Sequence, residues 1–266
     1  RYFTHHKTGV QMSWNGDEPV VGKMFSEELE ELLGPARNPE EPLGKRHEDI
    51  AASVQALYEE NLFRILDNLH KVTGLTRLAF AGGTAQNSLA NGKIYKNSAF
   101  TEIYIPPAGH DAGTAVGAAY DVWHERLGKP RGFVMTSPFW GEEHDDAAYI
   151  SALKKENLKY ERLDDEALYR RTAELVAKGS IVGWFQGRTE WGPRALGNRS
   201  IIANPAFPEI KEILNLKIKK REAFRPFAPS VLEEKVGEYF EESYPVPFME
   251  KVYSIRPEVR EKIPAV

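Results

Sequence analysis

Three arginines lie close together in residues 181–204, whose sequence is IVGWFQGRTEWGPRALGNRSIIAN. Arg188, Arg194 and Arg199 are separated by two glycines and a proline. Glycine lets a backbone approach a ligand closely, and each guanidinium offers a planar pair of donors that matches phosphate or carboxylate oxygens. A single arginine in a turn is usually solvated and paired with an acid such as Glu190. Three of them directly after a buried strand instead predict an anion-binding site.

A second basic group lies in residues 217–227, with Phe224 and Phe227 among its cations. Cations at the end of a helix are commonly solvated and are stabilised by the helix dipole, and we assign Lys217 and Lys220 to that role. The two phenylalanine rings can bury themselves and hold neighbouring cations toward the protein. The sequence here predicts a helix end that carries both solvated and inward-facing cations.

Two glycines, Gly82 and Gly83, follow a strand predicted at residues 77–81 and precede the polar Asn87. Backbone N–H groups freed by such a turn can face an anion, which makes this a candidate phosphate or nucleotide loop. A glycine pair after a strand is a weak signal, so the pair alone does not decide between a plain turn and a ligand loop.

Asp111 stands at the start of an Ala/Gly-rich helix predicted over residues 113–126. Aspartate is an ideal N-cap residue, so capping is the role that its position favours. His110 beside it is interpreted as a loop histidine. His5 and His6 are adjacent and therefore point in different directions, which argues against their holding one metal ion together.

Apolar periodicity and Gly/Pro punctuation predict an α/β chain in two domains, with a Gly/Pro-rich boundary between about residues 128 and 144. The predicted helices are 26–33, 45–71, 113–126, 145–155, 165–178, 209–220 and 230–240, and the predicted strands are 77–81, 102–105, 158–162 and 181–185.

The size, charge and composition of the chain exclude several classes of protein function. The chain has 266 residues, of which 41% are hydrophobic, enough for one large or two small packed domains. A net charge of −4 argues against a dedicated nucleic-acid binder, because phosphate contacts need a basic face. The lack of cysteine excludes disulfides, thiolate zinc sites and a cysteine nucleophile, and it fits a cytoplasmic location. No signal peptide or long apolar run occurs, so we expect a soluble protein without a membrane partner.

Four motifs, in this order, closely resemble those of the O-carbamoyltransferases of nodulation and antibiotic tailoring. They are AGGTAQNSLANGK (81–93), PPAGHDAGTAVGAA (106–119), GRTEWGPRALGNRS (187–200) and LNLKIKKREAFRPFAPSVL (214–232), with a weaker match in KRHEDIAASVQALYEE (45–60). Motifs of this length in a fixed order are highly specific.

The resemblance implies a fold and an activity. Residues 1–127 would form the second half of an actin/sugar-kinase/Hsp70-like nucleotide-binding domain, residues 128–144 a linker, and residues 145–266 part of a YrdC/Sua5-like α/β domain. The implied reaction moves a carbamoyl group from carbamoyl phosphate to a hydroxyl of a small acceptor, a sugar or an antibiotic, through a carbamoyl-adenylate made with ATP. An enzyme of the tRNA threonylcarbamoyl-adenylate pathway and a non-catalytic anion-binding module are the alternatives. The acidic net charge weighs against an RNA substrate.

The resemblance also suggests residue roles. Arg194 and Lys219 are the strongest catalytic candidates, since cations would offset the negative charges crowded together when the adenylate forms. The other phosphate ligands would be Arg188, Arg199, Arg221 and Arg225. The nucleotide would be bound by Gly82, Gly83 and Asn87.

Asp111 would ligate a divalent metal, either iron, as in the resembled family, or Mg²⁺ with ATP. The family completes that site with two histidines of an H-x-x-x-H helix, and no such pair occurs in this sequence. The chain also opens at Arg1, while members of the family extend beyond both of its ends. We therefore interpret it as a fragment that lacks N- and C-terminal portions, is inactive in isolation and does not contain the general base. A homodimer is left open.

Overall fold

The strands pair two by two in the computed structural model, which describes residues 12–16, 18–22 and 24–266. They are β1 (Met12–Asn15) antiparallel to β2 (Glu18–Val21), β3 (Arg77–Ala79) parallel to β4 (Glu102–Tyr104), and β5 (Val182–Phe185) antiparallel to β6 (Arg199–Ile202). Helices and strands are mixed along the chain, so the predicted α/β class is confirmed. His5 and His6 lie outside the described residues.

The longest helix, α2 (Lys45–Thr73), follows α1 (Glu27–Leu33) and confirms the helix predicted over residues 45–71. It stops at Gly74, which has a φ of +67° and donates its N–H to the carbonyl of His70 at 2.7 Å. Glycine adopts this left-handed conformation at little steric cost, so a glycine just beyond the periodic apolar residues ends the helix.

Shorter helices make up most of the remaining regular structure. They are α3 (Ser88–Gly92), α4 (Ile94–Asn97), α5 (Thr114–Asp121), α6 (Asp146–Lys155), α7 (Asp165–Ala177), α8 (Ile210–Ile213) and α9 (Val236–Tyr239). Asp145 caps α6 by accepting the N–H of Ala148, and Asp164 caps α7 by accepting the N–H of Ala167, both at 2.8 Å. Among the described residues, none of the helices is both long and apolar enough to cross a bilayer.

Four predicted elements differ in the structure. The helix predicted over 113–126 divides into α5 and a π-helical turn at Val122–Arg126. Residues 158–162 form no strand, because Leu158 donates its N–H back to Leu153 and no described strand pairs with the segment, which leaves Leu158 and Tyr160 exposed. The helix predicted over 209–220 divides into α8 and a π-helical turn at Leu214–Ile218. The helix predicted over 230–240 shortens to a 3-10 turn and α9.

Contacts between residues divide the chain into two units, residues 1–65 and 66–266. In the second unit, the predicted linker at residues 128–144 contains a single bridge residue and no helix. The domain boundaries placed around that linker remain a prediction.

The C-terminal segment of the second unit docks against α3. Val252 donates its N–H to the carbonyl of Ser88 at 3.0 Å, and the buried Asn91 amide donates to the carbonyl of Glu250 at 2.8 Å. The backbones approach so closely that a Cβ atom at Gly92 would lie 1.9 Å from the carbonyl oxygen of Val252. Glycine is therefore required where the two segments meet.

A buried ion pair lies in the same C-terminal segment. Lys251 Nζ is 2.9 Å from Glu250 Oε1, and the two side chains are only 3% and 6% exposed. Lys251 also donates to the carbonyl of Pro245, and the other Glu250 oxygen accepts the N–H of Phe248. These extra bonds help to offset the cost of removing both charges from water. Removing either partner alone would leave an uncompensated charge.

We predict that Gly92→Ala destabilises the chain by ~2–4 kcal/mol, because the new methyl group overlaps the backbone of Val252. Urea denaturation of the variant and the wild type measures the change. Gly237→Ala in α9 is the control, since a Cβ there meets nothing within 4 Å. Equal midpoints for Gly92→Ala and wild type would contradict the tight contact.

Candidate functional site

The arginine loop, residues 186–199, is held by one carboxylate. Glu190 Oε1 accepts the backbone N–H groups of Leu196, Asn198 and Arg199 at 2.9, 2.8 and 3.0 Å. Hydrogen bonds to an ionised acceptor are roughly twice as strong as neutral ones. The Glu190 side chain therefore shapes the loop by binding the loop's backbone N–H groups. The sequence had suggested Glu190 only as an ion-pair partner for an arginine.

These bonds also change the acidity of Glu190. Partial burial raises the pKa of its carboxyl group, but the N–H groups of Leu196, Arg199 and Asn198 stabilise the ionised form, and the net pKa is lowered from its ordinary value. The carboxylate is thus ionised at neutral pH and keeps the loop closed.

Arg199 belongs to the framework of the loop. Its guanidinium donates to the carbonyl oxygens of Gln186 at 2.6 Å and Gly187 at 3.1 Å, and it lies 3.4 Å from the centroid of the Phe185 ring. A guanidinium with these partners has fewer donors left for an anion. The structure thus places this predicted phosphate ligand where it joins the two ends of the loop.

Arg188 and Arg194 differ in their partners. Arg188 is exposed, donates weakly to the carbonyl of Gly141 and lies 3.5 Å from Glu143. Arg194 is half-buried, and among the described residues its guanidinium has neither a hydrogen-bond partner nor an ion-pair partner. It is the arginine of the loop whose donors are not committed to the protein.

The basic segment, residues 217–227, is organised by the fully buried Asn215. The side-chain amide of Asn215 donates to the carbonyls of Ala223 and Arg225 at 3.0 and 2.8 Å, and its oxygen accepts Nε of Arg221 at 2.7 Å. Arg221 also lies 4.9 Å from the centroid of the Phe227 ring. Asn215 thereby fixes both the backbone and one cation of the segment.

The other two predicted ligands of the basic segment are exposed. Arg225 pairs with Glu222, with Nε 2.7 Å from the carboxylate. Lys219 follows the π-helical turn, and within the described part of the chain its ammonium group has no recorded partner. Among the described residues, no hydrogen bond or ion pair joins the basic segment to the arginine loop. The structure therefore does not bring the six cations together through protein contacts.

A cavity of about 530 Å³ lies at the motifs of residues 81–93 and 106–119. This volume is in the usual range of small-molecule sites. Gly82 and Asp111 line it together with Trp191, which comes from the arginine loop. The aromatic and apolar part of its wall comprises Tyr104, Tyr120, Phe133, Val134 and Met135. The cavity thus joins the glycine turn, the candidate metal ligand and one residue of the arginine loop.

Asp111 does not cap the helix that follows it. His110 Nδ1 accepts the N–H of Ala112 at 3.1 Å and takes the capping role predicted for the aspartate. The Asp111 side chain is exposed on the cavity, and the described residues record no partner for it. The prediction of capping was wrong, because Asp111 lies inside the 3-10 turn that His110 caps and its carboxylate accepts no backbone N–H at the start of α5.

In the glycine turn, one backbone N–H is already hydrogen-bonded within the protein. Gly82 donates its N–H to the carbonyl of Gly109 at 2.6 Å, which closes the turn onto the loop that carries Asp111. Gly83 begins a short 3-10 helix, and Asn87 caps α3 by accepting the N–H of Ala90 at 3.1 Å. Asn87 thus has a helix-capping role in this structure.

Trp191 was missed as a cavity residue, and the contact that Gly192 makes was not predicted from the sequence. Trp191 lines the cavity, and Gly192 packs against Pro107 so closely that a Cβ atom would lie 2.4 Å from the Pro107 carbonyl oxygen. Their positions within the motif of residues 187–200 were the available signal. Nothing in the local pattern showed which other segment they would contact.

Family models account for most of the chain. The model of the carbamoyltransferase N-terminus matches residues 7–120, and the model of the carbamoyltransferase C-terminus matches residues 173–266. The chain belongs to the carbamoyltransferase family. The family resemblance inferred from the motifs is thereby confirmed.

Individual relatives agree with the family models. Nodulation protein NolNO of Sinorhizobium fredii is 42% identical over 236 residues, which cover 85% of this chain and 34% of the relative. Nodulation protein NolO of Bradyrhizobium diazoefficiens is 43% identical over 223 residues, covering 81% and 40%. An uncharacterised protein of Synechocystis is 43% identical over 244 residues, covering 89% and 40%. The chain thus spans between 34% and 40% of the length of these relatives.

The metal site implied by the carbamoyltransferase resemblance is not assembled by the described residues. Within residues 12–16, 18–22 and 24–266, no three His, Cys, Asp or Glu side chains are grouped so that they could hold an ion. Asp111 offers one carboxylate, and Nδ1 of the adjacent His110 is engaged with Ala112.

We predict that Glu190→Gln destabilises the arginine loop at neutral pH and flattens its pH dependence. The folded-state pKa of Glu190 is lowered, so its stabilisation is fully present above the unfolded-state pKa and is lost as pH falls through the folded-state pKa. The difference in unfolding free energy between wild type and variant should therefore shrink on acidification. Denaturant titrations from neutral to acidic pH measure it, and parallel profiles would contradict the role of the charge.

Proposed function

We propose that the full-length protein is an O-carbamoyltransferase that forms a carbamoyl-adenylate and passes its carbamoyl group to the hydroxyl of a small acceptor. The observation that carries the proposal is the meeting of Trp191, from the arginine loop, with Gly82 and Asp111 around one cavity. A route in two steps needs an anion site beside an acceptor site. Three family motifs meet at this cavity, residues 81–93, 106–119 and 187–200, and they are suited to those two tasks.

The first step joins two anions. Carbamate, released when carbamoyl phosphate loses its phosphate to water, bonds through one oxygen to the α-phosphorus of ATP, and pyrophosphate leaves. Among the six candidate cations, Arg194 and Lys219 are the two whose donors the described part of the protein leaves uncommitted. We assign Arg194 to a planar clamp on phosphate oxygens and Lys219 to a point charge. Arg188 and Arg225 could join them by exchanging a carboxylate for a phosphate, because both present pairs are solvent-exposed.

Arg199 and Arg221 support the first step differently. Arg199 holds carbonyl groups of the arginine loop, and Arg221 is fixed by Asn215 and Phe227. Each can add its positive charge to the local field while it holds its backbone in place. We therefore propose that Arg199 and Arg221 are phosphate ligands that contribute less to the first step than Arg194 and Lys219 do.

The second step takes place at the cavity. The acceptor oxygen bonds to the carbamoyl carbon, the bond from that carbon to the phosphate oxygen breaks, AMP leaves, and the hydroxyl proton passes to a base or to solvent. Gly82 and Gly83 offer close backbone approach to the nucleotide, and Asn87 supports them by capping α3. We propose Asp111 as one ligand of a divalent metal, iron or Mg²⁺, which would supply positive charge to offset the negative charge of the phosphates.

The finer family features are part of this proposal. We assign residues 1–127 to an actin-like nucleotide-binding fold and residues 145–266 to a YrdC-like fold. We propose a sugar or antibiotic-like acceptor in the cytoplasm, where ATP and carbamoyl phosphate are available. The nodulation proteins NolNO and NolO support carbamoyl transfer only through their shared family.

We predict that Arg194→Ala and Lys219→Ala each lower adenylate formation by ~10²–10³-fold in the full-length protein, because preorganised charge is lost where negative charge develops. The measurement is pyrophosphate release that depends on carbamoyl phosphate. Lys217→Ala is the matched control, since Lys217 is an exposed lysine of the same segment and should leave the rate near that of wild type. Rates within a few-fold of wild type for both Arg194→Ala and Lys219→Ala would contradict their assignment to adenylate formation.

Asp111→Asn should lower the metal content of the full-length protein, since the amide loses the charge that favours a divalent cation. The expected result is a fall in bound iron or magnesium by elemental analysis after dialysis. Glu102→Gln, in β4 and outside the lining of the cavity, is the control. Unchanged occupancy in Asp111→Asn would remove this residue from the metal site.

A further inference from the structure

Gly192 lies where the arginine loop presses against the loop that leads to Asp111. A Cβ atom at Gly192 would be 2.4 Å from the carbonyl oxygen of Pro107 and 2.9 Å from its carbonyl carbon. The φ of Gly192 is +123°, a conformation that residues with side chains rarely adopt. Both space and backbone geometry therefore restrict this position to glycine.

Trp191 is fixed from both sides of its backbone. Its N–H donates to the carbonyl of Pro138 at 2.7 Å, and its neighbours are Glu190, which closes the arginine loop, and Gly192, which touches Pro107. The side chain lines the cavity that contains Asp111. Trp191 and Gly192 thus belong to the arginine loop and also contact the cavity or its wall.

We propose that Gly192 and Trp191 are positioning residues that set the distance between the arginine loop and the Asp111 cavity, with Trp191 shielding the activated carbamoyl group from water. This inference rests on the proposed function. The carbamoyl carbon of the adenylate can be attacked by the acceptor oxygen or by water, and each attack breaks the same carbon–oxygen bond and releases AMP. Water yields carbamate, whereas the acceptor yields the carbamoylated product.

The size of the expected effect follows from the contact at Gly192. An added methyl group would force the loops apart by about 1 Å to restore an ordinary contact of 3.4 Å. A misplacement of ~1 Å can cost ~10²-fold in a step that depends on orientation. The arginine loop itself is closed by Glu190 and should survive that shift. The loss should therefore fall on transfer to the acceptor and not on adenylate formation.

Gly197→Ala is the matched control for Gly192→Ala. Gly197 lies in the same loop with a φ of +108°, but a Cβ atom there meets nothing within 4 Å. Both variants strain the backbone, whereas only Gly192→Ala pushes on Pro107. Comparing them separates the contact between loops from strain within one loop.

The experiment measures the ratio of carbamoylated acceptor to pyrophosphate in the full-length protein, together with hydrogen exchange in residues 106–113 and 188–199. We expect Gly192→Ala to lower the ratio by about tenfold or more relative to Gly197→Ala, with faster exchange in residues 106–113 and little change in residues 188–199. Trp191→Leu keeps the Gly192 contact and should lower the same ratio through increased hydrolysis, so the proposal stays testable if Gly192→Ala does not fold.

The positioning role, the coupling between the two loops and the proposed function would each be contradicted by a different result. Equal product ratios in Gly192→Ala, Trp191→Leu and Gly197→Ala would overturn the positioning role. Unchanged exchange at residues 106–113 in Gly192→Ala would overturn the coupling between loops, whatever the chemistry. A wild-type protein that releases no pyrophosphate with carbamoyl phosphate would refute the proposed function, and the exchange comparison would still judge the coupling.

Discussion

One carboxylate oxygen, Oε1 of Glu190, organises the second half of the candidate site. It gathers three backbone N–H groups that would otherwise have to find water or another acceptor. Once the loop is closed around it, Arg199 can lie across the loop ends and Trp191 can reach the cavity. The position of Arg194 depends on the same closure, because Arg194 lies between Glu190 and the amides that Glu190 binds. Glu190 has no proposed catalytic role, but its carboxylate determines where Arg194 and Trp191 lie.

The six cations of the two basic motifs fall into three physical classes. Arg199 and Arg221 are fixed by backbone carbonyls, an amide and aromatic rings. Arg188 and Arg225 have exposed carboxylate partners, whose attraction is screened by solvent and is weak. Arg194 and Lys219 remain uncommitted within the described residues. A framework of fixed cations with a few free ones suits a site that must bind and release charged reactants.

The sequence predicted the features that depend on neighbouring residues. The apolar period of α2 and the glycine that ends it are local signals, and so are the aspartate caps of α6 and α7. The family was also evident from four long motifs. The contact between Gly192 and Pro107 was not predictable, because it joins positions 85 residues apart. The role of Glu190 was missed for a similar reason, since a closed loop is needed before its amides converge.

Errors in the prediction have physical causes that particular residues make clear. Asp111 does not act as a cap because it lies inside the 3-10 turn Asp111–Gly113, which is capped by the preceding His110. Residues 158–162 alternate like a strand but lack a described neighbour to pair with, and an unpaired strand gains no ladder hydrogen bonds. The buried pair of Lys251 and Glu250 lies in a Pro-rich stretch with no periodic pattern. Its partners, Pro245 and Phe248, are close in sequence, but only the folded turn brings their backbone groups to the two side chains.

The docking of the C-terminal segment on α3 has a practical consequence for dividing the molecule. Ser88, Asn91 and Gly92 fall within the N-terminal family match, whereas Glu250 and Val252 fall within the C-terminal one. If the two matched halves were expressed separately, each would lack the backbone contacts that it makes with the other. Fragment complementation, with both halves produced together, is therefore the appropriate way to dissect this protein.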